Sequence, residues 1–395
     1  MITRRFGRTN LQMPVFSCGG MRFQYKWDDL PLIEIPHESQ KNLETVINHA
    51  FELGINHFET ANGYGTSEIQ LGQILPEFPR EKIIVQTKVS PTKDPEEFLR
   101  NVDISLKRLN LDYVDLLSLH GINNEELLRY SLQPKGCLDA AQKLQKSGRV
   151  RFIGFSTHAH QLNIIQEAIA TDLFDYVNIH WYFIFQKNWP AVLEANKRDM
   201  GVFIISPSDK GGMLYQPPQK LTDLCKPLSP IQFNNLFCLN HHQVHTLSIG
   251  AAKASDFEEH LKTLPLLEDP SQHLTPIVER LRDASELALG KNWLETWQIG
   301  LPDLLDTPNE INIPTILWLR NLALAFDMIS YGKMRYNLLG SGGHWFPGNK
   351  ANRIDNKDIY NCCRNSPHAG KIAQLLIETH NLLDDEPVQR LSLSK

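Results

Sequence analysis

Cysteine is sparse in this chain. Six residues in 395 (Cys18, Cys137, Cys225, Cys238, Cys362 and Cys363), only the last two adjacent, cannot build a disulfide framework, so a reducing cytoplasm is the expected compartment. Long apolar runs are missing too. No stretch reaches the roughly 18 apolar residues of a spanning helix, and Met1-Ile2-Thr3-Arg4-Arg5-Phe6 leads into no apolar segment, so neither a membrane partner nor a leader peptide is expected. With 40 basic against 45 acidic residues and a formal net charge of -5, no surplus of positive charge points to nucleic acid. The histidines His241, His242 and His245 have no carboxylate at ligand spacing, so no metal is assigned. A dinucleotide fingerprint after the first strand is also lacking: Gly19-Gly20-Met21-Arg22 runs into an irregular insertion over residues 24–39, with Pro31 and Pro36, instead of a helix.

What is present is a regular alternation. After a hairpin around Arg5 to Leu11, strands are expected at 15–20, 55–59, 83–89, 113–119, 150–155, 175–180, 201–206 and 245–249. Helices are expected between them at 41–53, 67–75, 95–108, 124–146, 160–170, 189–199, near 228–238 and at 255–263. Runs such as Ile83-Ile84-Val85 and Val202-Phe203-Ile204-Ile205 are the continuous apolar kind that parallel strands show when both faces are covered. Asp94-Pro95 reads as N-cap and first helical residue, and Gly148 as a helix stop. Eight such units define an α/β fold, a (β/α)8 TIM barrel, over residues 1–263. Beyond 263 the pattern ends. A linker near 266–270 leads into a mainly helical extension, 264–395, with helices near 274–289, 314–330 and 369–383. Four of the seven tryptophans, Trp293, Trp297, Trp318 and Trp345, fall there; they suit either the lining of a bulky-substrate pocket or packing of this segment, and packing is the favoured reading.

In such a barrel the C-terminal strand ends meet at one mouth, where chemistry is sought. Those ends carry Glu59 with Tyr64, Lys88, His120, Ser156 with Thr157, Asn178, Ser206 and Gly250. Gly63 and Gly65 fence Tyr64 in a turn that exposes the ring, and Thr66 or Ser67 is placed to cap the next helix. A carbonyl that gains negative charge needs a proton donor within hydrogen-bond reach. A free phenol has a pKa of about 10, and a neighbouring ammonium favours the phenolate. Lys88 is placed to supply that cation, Glu59 its counter-ion, and His120 an imidazole to orient the carbonyl oxygen.

Four motifs then resemble the aldo/keto reductase family, in the family's order. They are Gly54-Ile55-Asn56 through Tyr64-Gly65-Thr66-Ser67-Glu68 with Leu71-Gly72, the strand ending at Lys88, Asp112 to His120, and Gly148-Arg149-Val150-Arg151-Phe152-Ile153-Gly154-Phe155-Ser156-Thr157. The resemblance implies a barrel reductase for small-molecule aldehydes or ketones, with Tyr64, Lys88, His120 and Glu59 as its catalytic set. The nicotinamide cofactor would meet Gly20, Met21, Ser156, Thr157, Asn178, Ser206, Lys210, Gly212, Leu214, Gly250, Ala252, Lys253, Asp256, Glu259 and His260. NADPH is expected on family habit, with NADH as the alternative. Three positions depart from the family: Glu59 replaces the usual Asp, Asp256 a frequent Arg and His260 a frequent Asn.

Within that family the chain looks most like a bacterial branch with an added C-terminal segment, often a ferredoxin-like module. Here that segment offers Tyr336 to Gly348 and the Cys362-Cys363 pair, from which the four thiolates of a cluster cannot be assembled, so no iron–sulfur cluster is expected. The competing reading is a nicotinamide-binding sensor or interaction protein on the same barrel. Neither the oligomeric state nor the physiological substrate is legible.

Overall fold

The computed structural model describes residues 1–341 and 346–386. The chain opens with β1 (Thr3–Arg5) and β2 (Gln12–Pro14), an antiparallel hairpin. Eight parallel strands follow: β3 (Phe16–Gly19), β4 (His57–Glu59), β5 (Ile84–Val89), β6 (Val114–Leu119), β7 (Val150–Ser156), β8 (Tyr176–Ile179), β9 (Gly201–Ile204) and β10 (Thr246–Ile249). They close in sequence order, with β10 pairing back onto β3. The helices alternating with them are α1 (His37–Glu52), α2 (Ser67–Leu71), α3 (Pro95–Leu109), α4 (Glu125–Leu132), α5 (Cys137–Lys146), α6 (Leu162–Ala170), α7 (Trp189–Lys197), α8 (Gln219–Cys225), α9 (Pro230–Leu239) and α10 (Asp256–Leu261). The chain is therefore a (β/α)8 barrel. Among the described residues no helix is long and apolar enough to cross a membrane.

Alternation along the strands sorts the side chains into two sets. Outward residues such as Phe58, Val85, Leu117 and Ile153 pack under the helices in one large core. Inward ones build the barrel interior. Phe6 and Met13 of the hairpin, fully buried, join Ile84, Leu116, Tyr176 and Phe203 at the N-terminal ends of the strands and plug that end. Above the plug lies a polar layer: Ser17 Oγ is 2.7 Å from both His57 Nδ1 and Thr246 Oγ1, and Ser118 Oγ lies 2.9 Å from Gln86 Nε2 and 3.0 Å from Tyr176 OH. Room for the Tyr176 ring comes from Gly154, where a Cβ would stand 2.6 Å from it.

Several boundaries differ from expectation for local reasons. The helix expected over 124–146 is two, because Pro134 forces Gln133 into extended backbone (ψ 150) and Lys135 takes φ 61. The helix at 41–53 begins earlier, at His37, directly after Pro36. Ser67 to Leu75 shortens to α2, which ends at Gly72, where the backbone passes so close to Arg108 O that a Cβ would stand 1.9 Å from it. Asp94 does cap α3, its carboxylate accepting from Glu96 N at 3.0 Å.

The chain packs as two compact units. One is Met1–Gly211 with Asn234–Pro270, and the other takes Gly212–Phe233 together with the described residues from Ser271 onward. In the second unit α11 (Pro270–Leu289) starts where a linker was expected, with proline tolerated at a helix start. After it come α12 (Lys291–Thr296), α13 (Ile313–Phe326), α14 (Ile329–Tyr336), α15 (Asn356–Cys362) and α16 (Ala369–Leu383). The stretch expected as one helix over 314–330 divides at Asp327, which adopts φ 59. Trp293 donates to Asn321 Oδ1 at 2.9 Å, and Trp318 stacks on Phe346. Trp345 lies outside the described residues.

Candidate active site

Glu59 ends β4 and points inward. Its neighbour across the barrel wall, Lys88 near the end of β5, does the same, and the two are 4% and 1% exposed. The Lys88 ammonium meets Glu59 Oε1 and donates to Thr60 O at 2.8 Å and to Tyr64 OH at 3.2 Å. An ammonium has three protons, and here three oxygens face it. Burial pushes the Lys88 pKa down, and the direct carboxylate contact opposes that push. The Glu59 carboxylate closes the pair through Oε1, and Ser248 Oγ donates to its second oxygen at 3.4 Å. A Cβ on Gly19 would come within 2.4 Å of Ser248 Oγ and 3.2 Å of Glu59 Oε2, so the first barrel strand must be bare at that point.

Tyr64 sits 8% exposed between two edge-to-face partners, the His120 ring at 5.8 Å and the Trp27 ring at 5.9 Å between centroids. Its turn is held by Tyr64 N donating to Ala61 O, Ser67 N donating to Tyr64 O, and Asn62 N donating to Lys88 O. Of the two fencing glycines only Gly65 is demanded by the backbone: it has φ +51, and a Cβ there would lie 2.0 Å from Lys26 O, whereas one on Gly63 would meet nothing within 4 Å. Thr66 makes no cap. Its hydroxyl donates to Gln70 Oε1 at 2.8 Å and accepts from Tyr25 N and Lys26 N, fastening the 24–39 insertion to the turn.

On the other side of the mouth Ser156 ends β7 and Asn178 lies beside it on β8. Ser156 Oγ accepts from Gly121 N at 2.9 Å, and Thr157 Oγ1 is engaged with Ile122 O and Ala159 N. Asn178 is fully buried, and neither its Oδ1 nor its Nδ2 finds a partner among the described residues. A primary carboxamide, one donor and one acceptor edge to edge, is the chemistry such an amide fits. Gly20 N donates to Glu59 O at 2.7 Å, and Met21 follows it at the rim, half-buried. Ser206 turns the chain with φ 54 after β9. Lys210 Nζ lies 3.2 Å from His158 Nδ1 and 3.3 Å from His180 Nε2, and Tyr182 OH approaches the other nitrogen of His180 at 2.5 Å. His158, His180 and Tyr182 were not singled out from the sequence. His180 continues the inward alternation of Tyr176 and Asn178, which is the signal that could have found it.

Ser255 and Glu258 have the spacing of a capping box, but the turn into α10 is arranged differently. Ser255 makes no side-chain cap; the Asp256 carboxylate itself accepts from Ala252 N at 2.8 Å and Lys253 N at 3.4 Å, with Arg22 at 3.7 Å. Arg22 also donates to Gly250 O at 2.7 Å. His260 is fully buried against Asn235 Nδ2 at 2.9 Å, and burial holds its pKa at about 3. Glu259 pairs with Lys262, and Lys253 is exposed. Gly212 and Leu214 belong to the second unit, Gly212 with φ +134 and Leu214 buried. His245 accepts from Val202 N, His241 lies against Trp181 and Trp189, and among the described residues no group of three or more potential metal ligands occurs. Cys362 and Cys363 sit side by side, sulfurs 3.8 Å apart.

A closed eight-stranded parallel barrel with a buried phenol, ammonium, carboxylate and imidazole gathered at its C-terminal mouth is the class of protein that the fold and the site define. Comparison with known proteins narrows the class. The sequence profile of the Aldo/keto reductase family matches residues 16–262, and the chain belongs to that family. It is 26% identical over 267 residues, 56% of this chain and 68% of the other, to aldo-keto reductase AFTS1 of Alternaria alternata. It is 25% identical over 214 residues, 51% of this chain and 56% of the other, to aldo-keto reductase yakc [NADP(+)] of Schizosaccharomyces pombe. Among solved structures, the holo form of aldo-keto reductase AKR11C1 from Bacillus halodurans superposes with a TM-score of 0.58 at 21% identity, covering 70% of this chain and 96% of that one, a likeness of fold. Membership implies NAD(P)H-dependent carbonyl reduction.

Proposed function

We propose that this protein reduces an aldehyde or ketone to the alcohol in the cytoplasm, with Tyr64 delivering the proton. The observation that carries this reading is the Lys88 ammonium at 3.2 Å from the Tyr64 hydroxyl in a nearly dry site. As the carbonyl oxygen gains negative charge, the Tyr64 O–H donates to it, and Lys88 stabilises the phenolate left behind. Glu59 balances Lys88 so that the cation persists when buried. His120, edge-on to the Tyr64 ring, orients the carbonyl oxygen. A bound nicotinamide supplies the hydride. Asn178, with Ser156 beside it, is the proposed holder of its carboxamide, supported by the two atoms of the Asn178 amide that have no partner among the described residues.

NADPH is the proposed cofactor on kinship, one relative being named for NADP(+), with exposed Lys253 to meet a 2′-phosphate. Asp256, whose carboxylate already fills the backbone donors of residues 252 and 253, opposes a second anion there and makes the preference over NADH a small one. The test is oxidation of NADPH and NADH against a panel of aldehydes and ketones, with Tyr64→Phe as comparison. Loss of turnover with retained cofactor binding supports the proton-donor role, and undiminished turnover in the variant overturns it. Cofactor binding without turnover in the unaltered protein would favour the sensor reading.

A further inference from the structure

On the outer flank of the Tyr64 turn lies a pocket of about 290 Å³ that takes no part in the chemistry above. Its walls come from three elements: Trp27 and Asp29 of the insertion, Asn62, Gly63 and Gly65 of the turn, and Asn101, Ile104 and Arg108 of α3. The chemistry of the lining is specific. Arg108 is its cation, but the guanidinium contacts Asp29 and lies 3.7 Å from Glu68 Oε2, so its charge is already balanced and an anion gains little there. Asn62 spends its amide nitrogen on Ser105 Oγ at 3.1 Å and Asn101 O at 3.4 Å, and keeps its oxygen as an acceptor. Trp27 and Ile104 supply an aromatic and an aliphatic wall, and Ile104 is 40% exposed. Balanced charge, two side-chain amides and two apolar walls suit a molecule whose groups each donate and accept while its carbon skeleton is apolar.

We propose that this pocket is a second ligand site, for a neutral polyhydroxylated molecule such as a polyol or pyranose ring. Hydroxyls pair with the amides of Asn62 and Asn101 and with the Asp29–Arg108 pair, and the C–H face lies on Trp27 and Ile104. The occupant touches the chain on both sides of Tyr64, and Trp27 is in ring contact with the phenol itself, so occupancy bears on the turn that holds the acid. The binding claim stands apart from the reductase reading; only its effect on turnover rests on that reading.

The probe is 1,5-anhydro-D-glucitol, a pyranose with no carbonyl to reduce, titrated into the full chain and followed by tryptophan fluorescence and ligand-observed NMR. Saturable binding is expected in wild type and in Tyr64→Phe alike. Asn101→Ala is expected to weaken it about tenfold, one hydrogen bond's worth. Asp29→Ala, which leaves Arg108 underbalanced, is expected to weaken it too and to create binding of inorganic phosphate that wild type lacks. In turnover assays the probe should alter kcat without competing with the carbonyl substrate. Absence of saturable binding, loss of binding in Tyr64→Phe with none in Asn101→Ala, or phosphate binding as tight as the probe in wild type would each overturn the proposal.

Discussion

The two sides of the barrel mouth are built on opposite principles. Along β4, β5 and β6 the charges satisfy one another: the three protons of Lys88 face Glu59, Thr60 O and Tyr64, and Ser248 takes up the remaining carboxylate oxygen. Along β8 the reverse holds, with both ends of the Asn178 amide buried and unmatched among the described residues. Satisfying a buried ion pair fixes its geometry before anything binds, whereas leaving a buried amide unmatched is unfavourable unless an outside group completes it. One side is ready in advance; the other, on the proposed reading, would be finished by its ligand.

The largest effect that could break this contrast is on the prepared side. Tyr64→Phe is expected to lower kcat by roughly 10²–10⁴ while the cofactor dissociation constant, read by fluorescence titration, stays within about twofold. Lys88→Met should lower kcat comparably and also destabilise the fold by about 3–5 kcal/mol in denaturant melts, because Glu59 is left buried without its cation. Both effects are absent if the charges are not mutually dependent. On the side proposed to await its ligand, Asn178→Ala should weaken cofactor binding about tenfold with little change in stability, since its amide has no partner among the described residues to lose. Asp256→Ser should raise the affinity for NADPH relative to NADH by a few fold, measured by titration of both cofactors; an unchanged ratio would remove Asp256 from the phosphate end.

The smallest effect concerns acid stability. His57 and His260 are both buried and held neutral, with pKa values lowered to about 3 by desolvation. A histidine whose folded pKa lies below its unfolded value contributes stability that is whole above about pH 6.5 and is lost as pH falls toward 3, at up to about 1.4 kcal/mol per pH unit per group. His57→Gln should therefore flatten the decline of unfolding free energy between pH 6.5 and 4 relative to wild type. An acid limb of unchanged slope would show that His57 does not carry that share.

Legibility followed chemistry more closely than geometry. Tyr64, Lys88, His120 and Glu59 stood out because polar groups closing apolar strands are unusual, and their chain order matched one family. The polar layer of Ser17, His57, Gln86 and Ser118 was hidden, because alternation in so short a strand looks like noise until the barrel shows which face is inside. Ser255 with Glu258 has the spacing of a capping box, yet Glu258 N donates to the Ser255 carbonyl oxygen and the Ser255 hydroxyl makes no cap, while Asp256 accepts from Ala252 N and Lys253 N upstream; a spacing cannot say which oxygen the backbone turns toward its donors. The single helix expected over 124–146 failed at Pro134, whose effect on the residue before it outweighed the helical pattern on either side.

The sequence by itself determined the eightfold alternation, the family and the identity of the polar groups at the strand ends, since these depend on periodicity and on residue type at fixed positions. Only the tertiary structure decided which of those groups meet. Closure of the barrel brings Ser248 within reach of Glu59, 189 positions apart in the chain, and lays Trp27 of an otherwise unreadable insertion against Tyr64. The physical reason is that hydrogen bonds and ring contacts depend on separations of a few ångströms, which local sequence fixes only within one element and which packing of all eight strands fixes between them.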